Sequence, residues 1–308
     1  MRHHYECQLR WADMDQLRHV NNVKYADYLQ EARIDFLRAV ELRFSSRHDE
    51  AVPAEERSGL VVVRHELTYL APLHFDFRPV SLEIWVSDLG RASFTLGCEI
   101  FRDGPDGVRT VYLRAATRIA PFVFGTARPR RLSEVERAAL AAYVELRDAP
   151  AVPATRPGPA RRSTAGHYPV HVRFSDLDPY RHVNNVTYLE YFQEGRILFN
   201  SRIWHDLPAG TPRTSVVVAQ ADYDYLRPMV ITSGGYDLWT WVDSVGNRSA
   251  VMSSEICDGD TVMSRSRVVL VFFDSETDRS TEPPAAYRDP LVAALETHDD
   301  PGALTRTS

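Results

Sequence analysis

The sequence has no hydrophobic stretch of membrane-spanning length. The longest purely apolar run near its C-terminal end is Val268 to Phe273, far short of the roughly 20 residues a helix needs to cross a bilayer. The opening stretch MRHHYECQLRWADMD holds no apolar segment, so no secretory leader is expected and the protein is expected in the cytoplasm, off the membrane. Cysteine is scarce: Cys7, Cys98 and Cys257 are the three in 308 residues. None forms a CxxC pair, and the odd count argues against a disulfide framework; no structural metal is expected either. A positive excess is also missing. With 36 Lys+Arg against 42 Asp+Glu the formal net charge is −6, which removes the usual electrostatic footprint of a nucleic-acid-binding protein. What is present is an ordinary globular composition, 44% hydrophobic and 25% charged, with enough apolar material for a sizeable core. The length allows two domains of about 150 residues.

The chain repeats itself. Residues 4–37 (HYECQLRWADMDQLRHVNNVKYADYLQEARIDFL) align without a gap on residues 167–200 (HYPVHVRFSDLDPYRHVNNVTYLEYFQEGRILFN), with 18 of 34 positions identical. Further on, Leu70, Pro72, Trp85, Gly90, Ser93 and Glu99 recur as Leu226, Pro228, Trp241, Gly246, Ser249 and Glu255, at an offset of 156 instead of 163. The missing seven residues fall in the polar stretch 45–58 of the first copy, which reads as an inserted surface loop. Two long copies mean a duplicated domain and not a solenoid.

Within each copy the order is the same. A short alternating strand comes first (Tyr5 to Trp11; Tyr168 to Phe174), then a polar turn, then a helix. Its apolar positions Tyr25, Tyr28, Leu29, Ala32, Phe36 and Val40 follow a 3-4-3-4 spacing, and Tyr188, Tyr191, Phe192, Gly195 and Phe199 repeat it. Four strand-like stretches follow, 61–70, 80–88, 92–102 and 109–120, matched by 214–226, 236–244, 248–257 and 261–273, with Gly90 and Gly246 at hairpin turns. Each copy is therefore α+β. Ser133 and Glu136 form a capping box for a short helix reaching about Tyr143. The expected divisions are a first domain 1–147, a Pro/Ala/Arg-rich linker 148–166, a second domain 167–289, and a polar, frayed tail 290–308.

Both copies carry D-x-D-x-x-R-H-V-N-N-V-x-Y between the first strand and the helix: Asp13, Asp15, Arg18, His19, Asn21, Asn22 and Tyr25, then Asp176, Asp178, Arg181, His182, Asn184, Asn185 and Tyr188. A helix start offers unpaired N–H groups and partial positive charge, suited to an anion or a developing oxyanion. A carboxylate a few residues upstream reaches the same space, and the two together are a minimal kit for acyl transfer to water. The bland reading stands beside it: either Asn as a helix cap, one Asp as a turn former, and the His as a satisfied hydrogen-bonding group.

These stretches resemble the signature of the 4-hydroxybenzoyl-CoA thioesterase family of hot-dog proteins, and also that of plant acyl-ACP thioesterases. The resemblance runs more weakly through the strands of both copies. It implies two tandem hot-dog domains, each a central helix wrapped by a curved antiparallel sheet, pairing within the chain as a fused dimer that can dimerise further. By position it makes Asp15 and Asp178 the catalytic carboxylates. The backbone N–H groups of Asn22 and Asn185 become the oxyanion donors, and His19 and His182 part of the machinery in the acyl-ACP branch. That branch also has an Asn two residues after the Asp, where Leu17 and Tyr180 stand here. Family members often have Gly before the His, where this chain has Arg18 and Arg181. Asn21 and Asn184 are further candidates for contact with substrate, and Arg91 and Arg248, after the hairpin glycines, for the phosphates of CoA.

The implied activity is hydrolysis of an acyl-CoA thioester, with CoA as leaving group and no cofactor or metal. An acyl-ACP thioesterase and a non-catalytic acyl-CoA-binding module are the rivals. A hydratase is disfavoured because its D-x-N-P-x-H pattern is not matched.

Overall fold

The computed structural model describes residues 1–42, 57–126, 128–145, 162–212, 214–274, 277 and 279–296. The chain divides into two compact units, Met1–Pro153 and Ala154–Ser308. The first runs β1 (His3–Cys7), α1 (Lys24–Ala39), β2 (Ser58–Tyr69), β3 (Val80–Leu89), β4 (Phe94–Asp103), β5 (Arg109–Val123), the two-residue β6 (Arg128–Pro129) and α2 (Glu134–Ala141). The second runs β7 (His167–Val170), α3 (Asn185–Ile203), β8 (Ser215–Tyr225), β9 (Tyr236–Val245), β10 (Ser249–Asp258), β11 (Thr261–Asp274), β12 (Arg279–Ser280) and α4 (Ala285–Glu296). The main strands of the first unit are ordered β1-β3-β4-β5-β2 and those of the second β7-β9-β10-β11-β8, antiparallel throughout. The two copies therefore share one topology, α+β as the residue spacing implies and the hot-dog arrangement that the family resemblance implies.

The sheets curve because their ladders are interrupted, and the interruptions are duplicated too. Val63 of β2 and Ser87 of β3 are extra residues in their ladders. Ala219 of β8 and Asp243 of β9, each 156 residues later, are the same interruptions in the second copy. A third register shift lies at Ile100/Phe101 and at Ile256/Cys257. Each bulge bends its strand and adds twist, which lets a sheet curl round a helix.

The helix stripes are buried as their spacing requires. Tyr25, Tyr28, Leu29, Ala32 and Phe36 are all buried on α1, as are Tyr188, Tyr191, Phe192, Gly195 and Phe199 on α3. Val40 lies just past the end of α1. Helix α1 lies against β1 and β3, and α3 against β7 and β9. Gly195 is needed for that approach, because a β-carbon there would collide with Leu238 of β9. At the start of α2 the capping box forms: Ser133 N–H donates to Glu136 Oε2 at 2.7 Å, and Glu136 N–H to Ser133 Oγ at 3.2 Å.

Two expected boundaries move. The last residues of the linker are structural: Thr164–Gly166 form a tight turn capped by Ser163, and a β-carbon at Gly166 would strike the Thr240 carbonyl of β9. Arg202 of α3 ties this turn down, donating to the carbonyls of Thr164, Ala165 and His167 at 3.2, 2.9 and 2.7 Å. Likewise the tail does not begin at Pro290, which sits inside α4. A proline there removes one helical hydrogen bond. Burial of Leu291 (1% exposed) and the Trp204 Nε1 bond to the Tyr287 carbonyl (3.0 Å) hold the helix in place. Residues 297–308, most of the linker (148–161) and most of the inserted stretch 45–58 lie outside the described residues. No helix among the described residues is long and apolar enough to cross a membrane.

Candidate active site

The two aspartates of each D-x-D are held in opposite ways. Asp13 closes the short turn Trp11–Asp13 and is 2% exposed. Its carboxylate accepts the Arg10 N–H (3.0 Å), the Arg10 guanidinium (2.9 Å) and the Tyr28 hydroxyl (2.7 Å). Burial works to raise its pKa, but the Arg10 and Tyr28 hydrogen bonds outweigh burial and hold the carboxyl below the usual carboxylate range. Asp176 repeats this with Arg173 N–H (2.8 Å) and the Tyr191 hydroxyl (2.6 Å), with the same downward shift. These first aspartates lock the turn to the second turn of the helix.

Asp15 and Asp178 are only half-buried. Asp15 Oδ1 accepts Leu17 N–H (2.8 Å) and His19 N–H (3.2 Å). Its own N–H donates to the His19 carbonyl (2.8 Å), and Arg18 N–H donates to the Asp15 carbonyl (3.1 Å). Asp178 accepts the corresponding bonds from Tyr180 N–H (2.8 Å) and His182 N–H (3.2 Å). One oxygen is thus anchored. Among the described residues no hydrogen bond engages Oδ2 of Asp15. This is a fixed carboxylate with a lone-pair face left for a reacting group.

The turn has a conformational cost. Arg18 and Arg181 have φ of 62° and 63°. These positions, where the family often has glycine, adopt the left-handed backbone all the same, at roughly 1–2 kcal/mol for a residue with a β-carbon. The backbone bonds around Asp15 and Asp178 hold them there.

The start of the helix is built by the asparagines. Asn21 Oδ1 accepts Val23 N–H (3.1 Å) and its carbonyl accepts Lys24 N–H (2.9 Å). Asn184 does the same for Val186 N–H (3.5 Å) and Thr187 N–H (2.9 Å). The Asn184 side chain caps α3, and that of Asn21 makes the matching bond just ahead of α1, the bland alternative. The N–H groups of residues 15, 17, 18, 19, 20, 21, 23 and 24 all enter the bonds that fix the loop, and among the described residues that of Asn22 does not. The Asn22 carbonyl accepts the Tyr69 hydroxyl (2.7 Å) and that of Asn185 the Tyr225 hydroxyl (2.8 Å). Tyr69 and Tyr225 stack edge-on against Tyr25 and Tyr188, at 5.4 and 5.2 Å. Sequence reasoning missed this tyrosine pair, although it too recurs at an offset of 156, next to Leu70 and Leu226.

The histidines diverge. His19 packs edge-on against His74 at 4.7 Å, and the backbones of the two pair as an isolated bridge. At an offset of 156 from His74 the second copy has Val230, 41% exposed. Leu17 is 37% exposed while its counterpart Tyr180 is buried at 5%. The two sites share their backbone and differ in their rims.

Arg91 and Arg248 are not brought to the site of their own copy. Cys7, where β1 leads into the Asp15 loop, pairs with Val80 at the start of β3. Arg91 follows the other end of β3, about 30 Å of strand away. Arg248 lies beyond the far end of β9 in the same way, since Val170 pairs with Tyr236. A cavity of about 280 Å³ in the second unit, lined by Phe199, Ile203, Trp241 and Pro290 among others, is also remote. It sits about 20 Å along α3 from Asn185. Among the described residues no three His, Cys, Asp or Glu side chains gather as a metal site.

Each copy of the duplicated hot-dog domain carries an anchored carboxylate ahead of a helix start. Residues 9–142 and 172–293 match the thioesterase-like superfamily, and the chain belongs to that superfamily. Its fold is similar over the length of three solved structures. One is a Lactobacillus plantarum protein assigned as an oleoyl thioesterase (17% identity, TM-score 0.67, covering 88% of this chain and 95% of that one). The others are an acyl-ACP thioesterase from Bacteroides thetaiotaomicron (16%, 0.61, 87% and 97%) and the 12:0-ACP thioesterase of Umbellularia californica (14%, 0.64, 88% and 97%). A 61-residue segment is 39% identical to the uncharacterised protein YsmA of Bacillus subtilis, spanning 20% of this chain and about 40% of YsmA.

Proposed function

We propose that this chain hydrolyses acyl-CoA thioesters, using Asp15 and Asp178 as the catalytic carboxylates. The backbone N–H groups of Asn22 and Asn185 polarise the thioester carbonyl. The observation that carries this reading is the pairing of an anchored Asp15 carboxylate, one oxygen unengaged, with a helix start whose Asn22 N–H is not spent on the loop. Water attacks the carbonyl carbon, Asp15 takes its proton, the carbon–sulfur bond breaks, and the CoA sulfur leaves with a proton. In the alternative, a carboxylate oxygen attacks first and water hydrolyses the mixed anhydride. Neither route calls for a metal or cofactor.

A carrier-protein thioester is the second reading, favoured by the acyl-ACP thioesterases that share the two-domain fold. The deciding experiment is a thiol-release assay over short, medium, long and aromatic acyl-CoAs, with the same acyl groups on acyl carrier protein. Faster turnover on CoA is expected. Turnover confined to the carrier protein would replace the first reading by the second, and turnover of neither would remove both.

A further inference from the structure

We propose that Arg18 and Arg181 form a phosphate subsite for the pantetheine arm that carries the thioester, an inference that rests on the thioesterase reading above. Each lies three residues after the catalytic carboxylate, on the same turn, with its N–H bonded to that aspartate's carbonyl at 3.1 and 2.9 Å. Both side chains are exposed, and neither forms an ion pair among the described residues. Neighbouring arginines are already committed: Arg10 to Asp13 (2.9 Å), Arg173 to Asp176 (3.4 Å) and Arg78 to Asp76 (2.6 Å).

The backbone makes the choice of arginine informative. At φ near +62° a glycine would sit without strain, and a β-carbon is a liability. Between the second aspartate and the arginine both residues have changed, Gln16-Leu17 becoming Pro179-Tyr180, while the arginine is kept in both copies. An uncommitted guanidinium rooted on this fixed turn and reaching outward from the carboxylate suits a phosphate at the outer end of the arm, which it can meet with two parallel N–H donors. The pantetheine arm ends in a phosphate whether its owner is CoA or a carrier protein. Arg91 and Arg248, at the far ends of their strands, do not supply this charge within a copy.

The test uses one acyl group on CoA, on 4′-phosphopantetheine, on pantetheine and on acyl carrier protein. Wild type is compared with the Arg18→Gly/Arg181→Gly and Arg18→Lys/Arg181→Lys double variants. Glycine suits the backbone at both positions, so the fold should survive, with circular dichroism as the check. The expected result is that the ratio of kcat/KM for acyl-CoA to that for acyl-pantetheine falls about tenfold in the glycine variant, mostly through KM. Phosphopantetheine and carrier-protein substrates should suffer alike, and lysine should restore part of the loss. An equal loss on all four substrates, or no loss on any, would overturn the subsite. So would a loss confined to CoA, which would point to its nucleotide phosphates, or one confined to the carrier protein, which would point to a protein surface. Calorimetric binding of 4′-phosphopantetheine and of pantetheine reads the subsite without turnover. If wild type hydrolyses nothing, the thioesterase reading fails. In that case 4′-phosphopantetheine binding weakened about tenfold by glycine, with pantetheine binding unchanged, still upholds the phosphate subsite, and 4′-phosphopantetheine binding that glycine leaves as it was overturns it.

Discussion

The hydroxyl of Tyr28 donates to Oδ2 of Asp13 at 2.7 Å, across fifteen residues of chain, and Tyr191 makes the same bond to Asp176 at 2.6 Å. This bond separates two aspartates that look alike in sequence. Asp13→Asn leaves a buried, miswired amide facing Arg10 and Tyr28, and should destabilise the first unit by about 1–3 kcal/mol. Asp15→Asn keeps an oxygen for the Leu17 and His19 N–H groups and should leave the melting temperature near wild type.

The second aspartate of each copy carries a prediction on activity. Asp15→Asn and Asp178→Asn should each remove part of the turnover, and the double variant should lose roughly a hundredfold or more in kcat, the scale of a lost general base. Steady-state hydrolysis by both single variants and the double variant, with circular dichroism alongside, measures this. A folded double variant with wild-type turnover would remove these carboxylates from the mechanism. Because Leu17 and Tyr180 differ so much in burial, the two single variants should also differ in acyl preference.

Tyr69 and Tyr225 hold the peptide units at the helix starts. Tyr69→Phe/Tyr225→Phe keeps the ring stacking and removes only the bonds to the Asn22 and Asn185 carbonyls. A slackened helix start should cost about tenfold in kcat with little change in KM, since the oxyanion donor matters most in the transition state. If KM rose and kcat held, the tyrosines would be shaping substrate binding and not the oxyanion site.

His65 offers a test of pH dependence away from the site. It is fully buried with Nδ1 2.9 Å from Thr117 Oγ1. Burial, and secondarily the positive charge of Arg33, push its pKa down to about 3. In the unfolded chain a histidine titrates near 6.5. The unfolded state therefore takes up a proton first as pH falls, and stability is lost from about pH 6.5 down towards pH 3. The low folded pKa values of Asp13 and Asp176 act only below the ordinary carboxylate range, so the interval between pH 6 and 5 isolates the histidine. Urea unfolding there should show the wild-type protein losing up to about 1.4 kcal/mol per pH unit more than His65→Gln. Parallel slopes for the two proteins would contradict this.

Gly166→Ala tests the boundary of the second domain. The turn that precedes β7 presses on Thr240, so a methyl group must push two backbones apart. A loss of about 2 kcal/mol or more is expected, whereas a freely moving linker would tolerate the change.

Much of this architecture was legible in residue spacing. The 3-4-3-4 stripe marked α1 and α3, alternation and hairpin glycines marked the strands, and a constant offset showed that one domain was written twice. The capping box at Ser133 and Glu136 was readable because both partners lie within one helical turn. The misread boundaries have a common cause. Pro290 and the Pro-rich run before Gly166 look like chain breakers locally, and Leu291, Tyr287 and Arg202 outweigh that preference through contacts far away in sequence.

By itself the sequence determined the duplication, the order of elements and the loop on which the chemistry lies, because periodicity and local capping depend on neighbours a few residues apart. The tertiary structure alone decided which aspartate is spent and which has an oxygen to spare, since Tyr28 reaches only Asp13. It also decided that Tyr69, forty-seven residues from Asn22, steadies the helix start. Likewise it decided that Arg91 follows the end of β3 remote from Asp15 within its own copy, while Arg18 lies on the same turn as Asp15. Hydrogen-bond partners are chosen by position in space, and in an antiparallel sheet wrapped round a helix that position is set by register, which no local pattern carries.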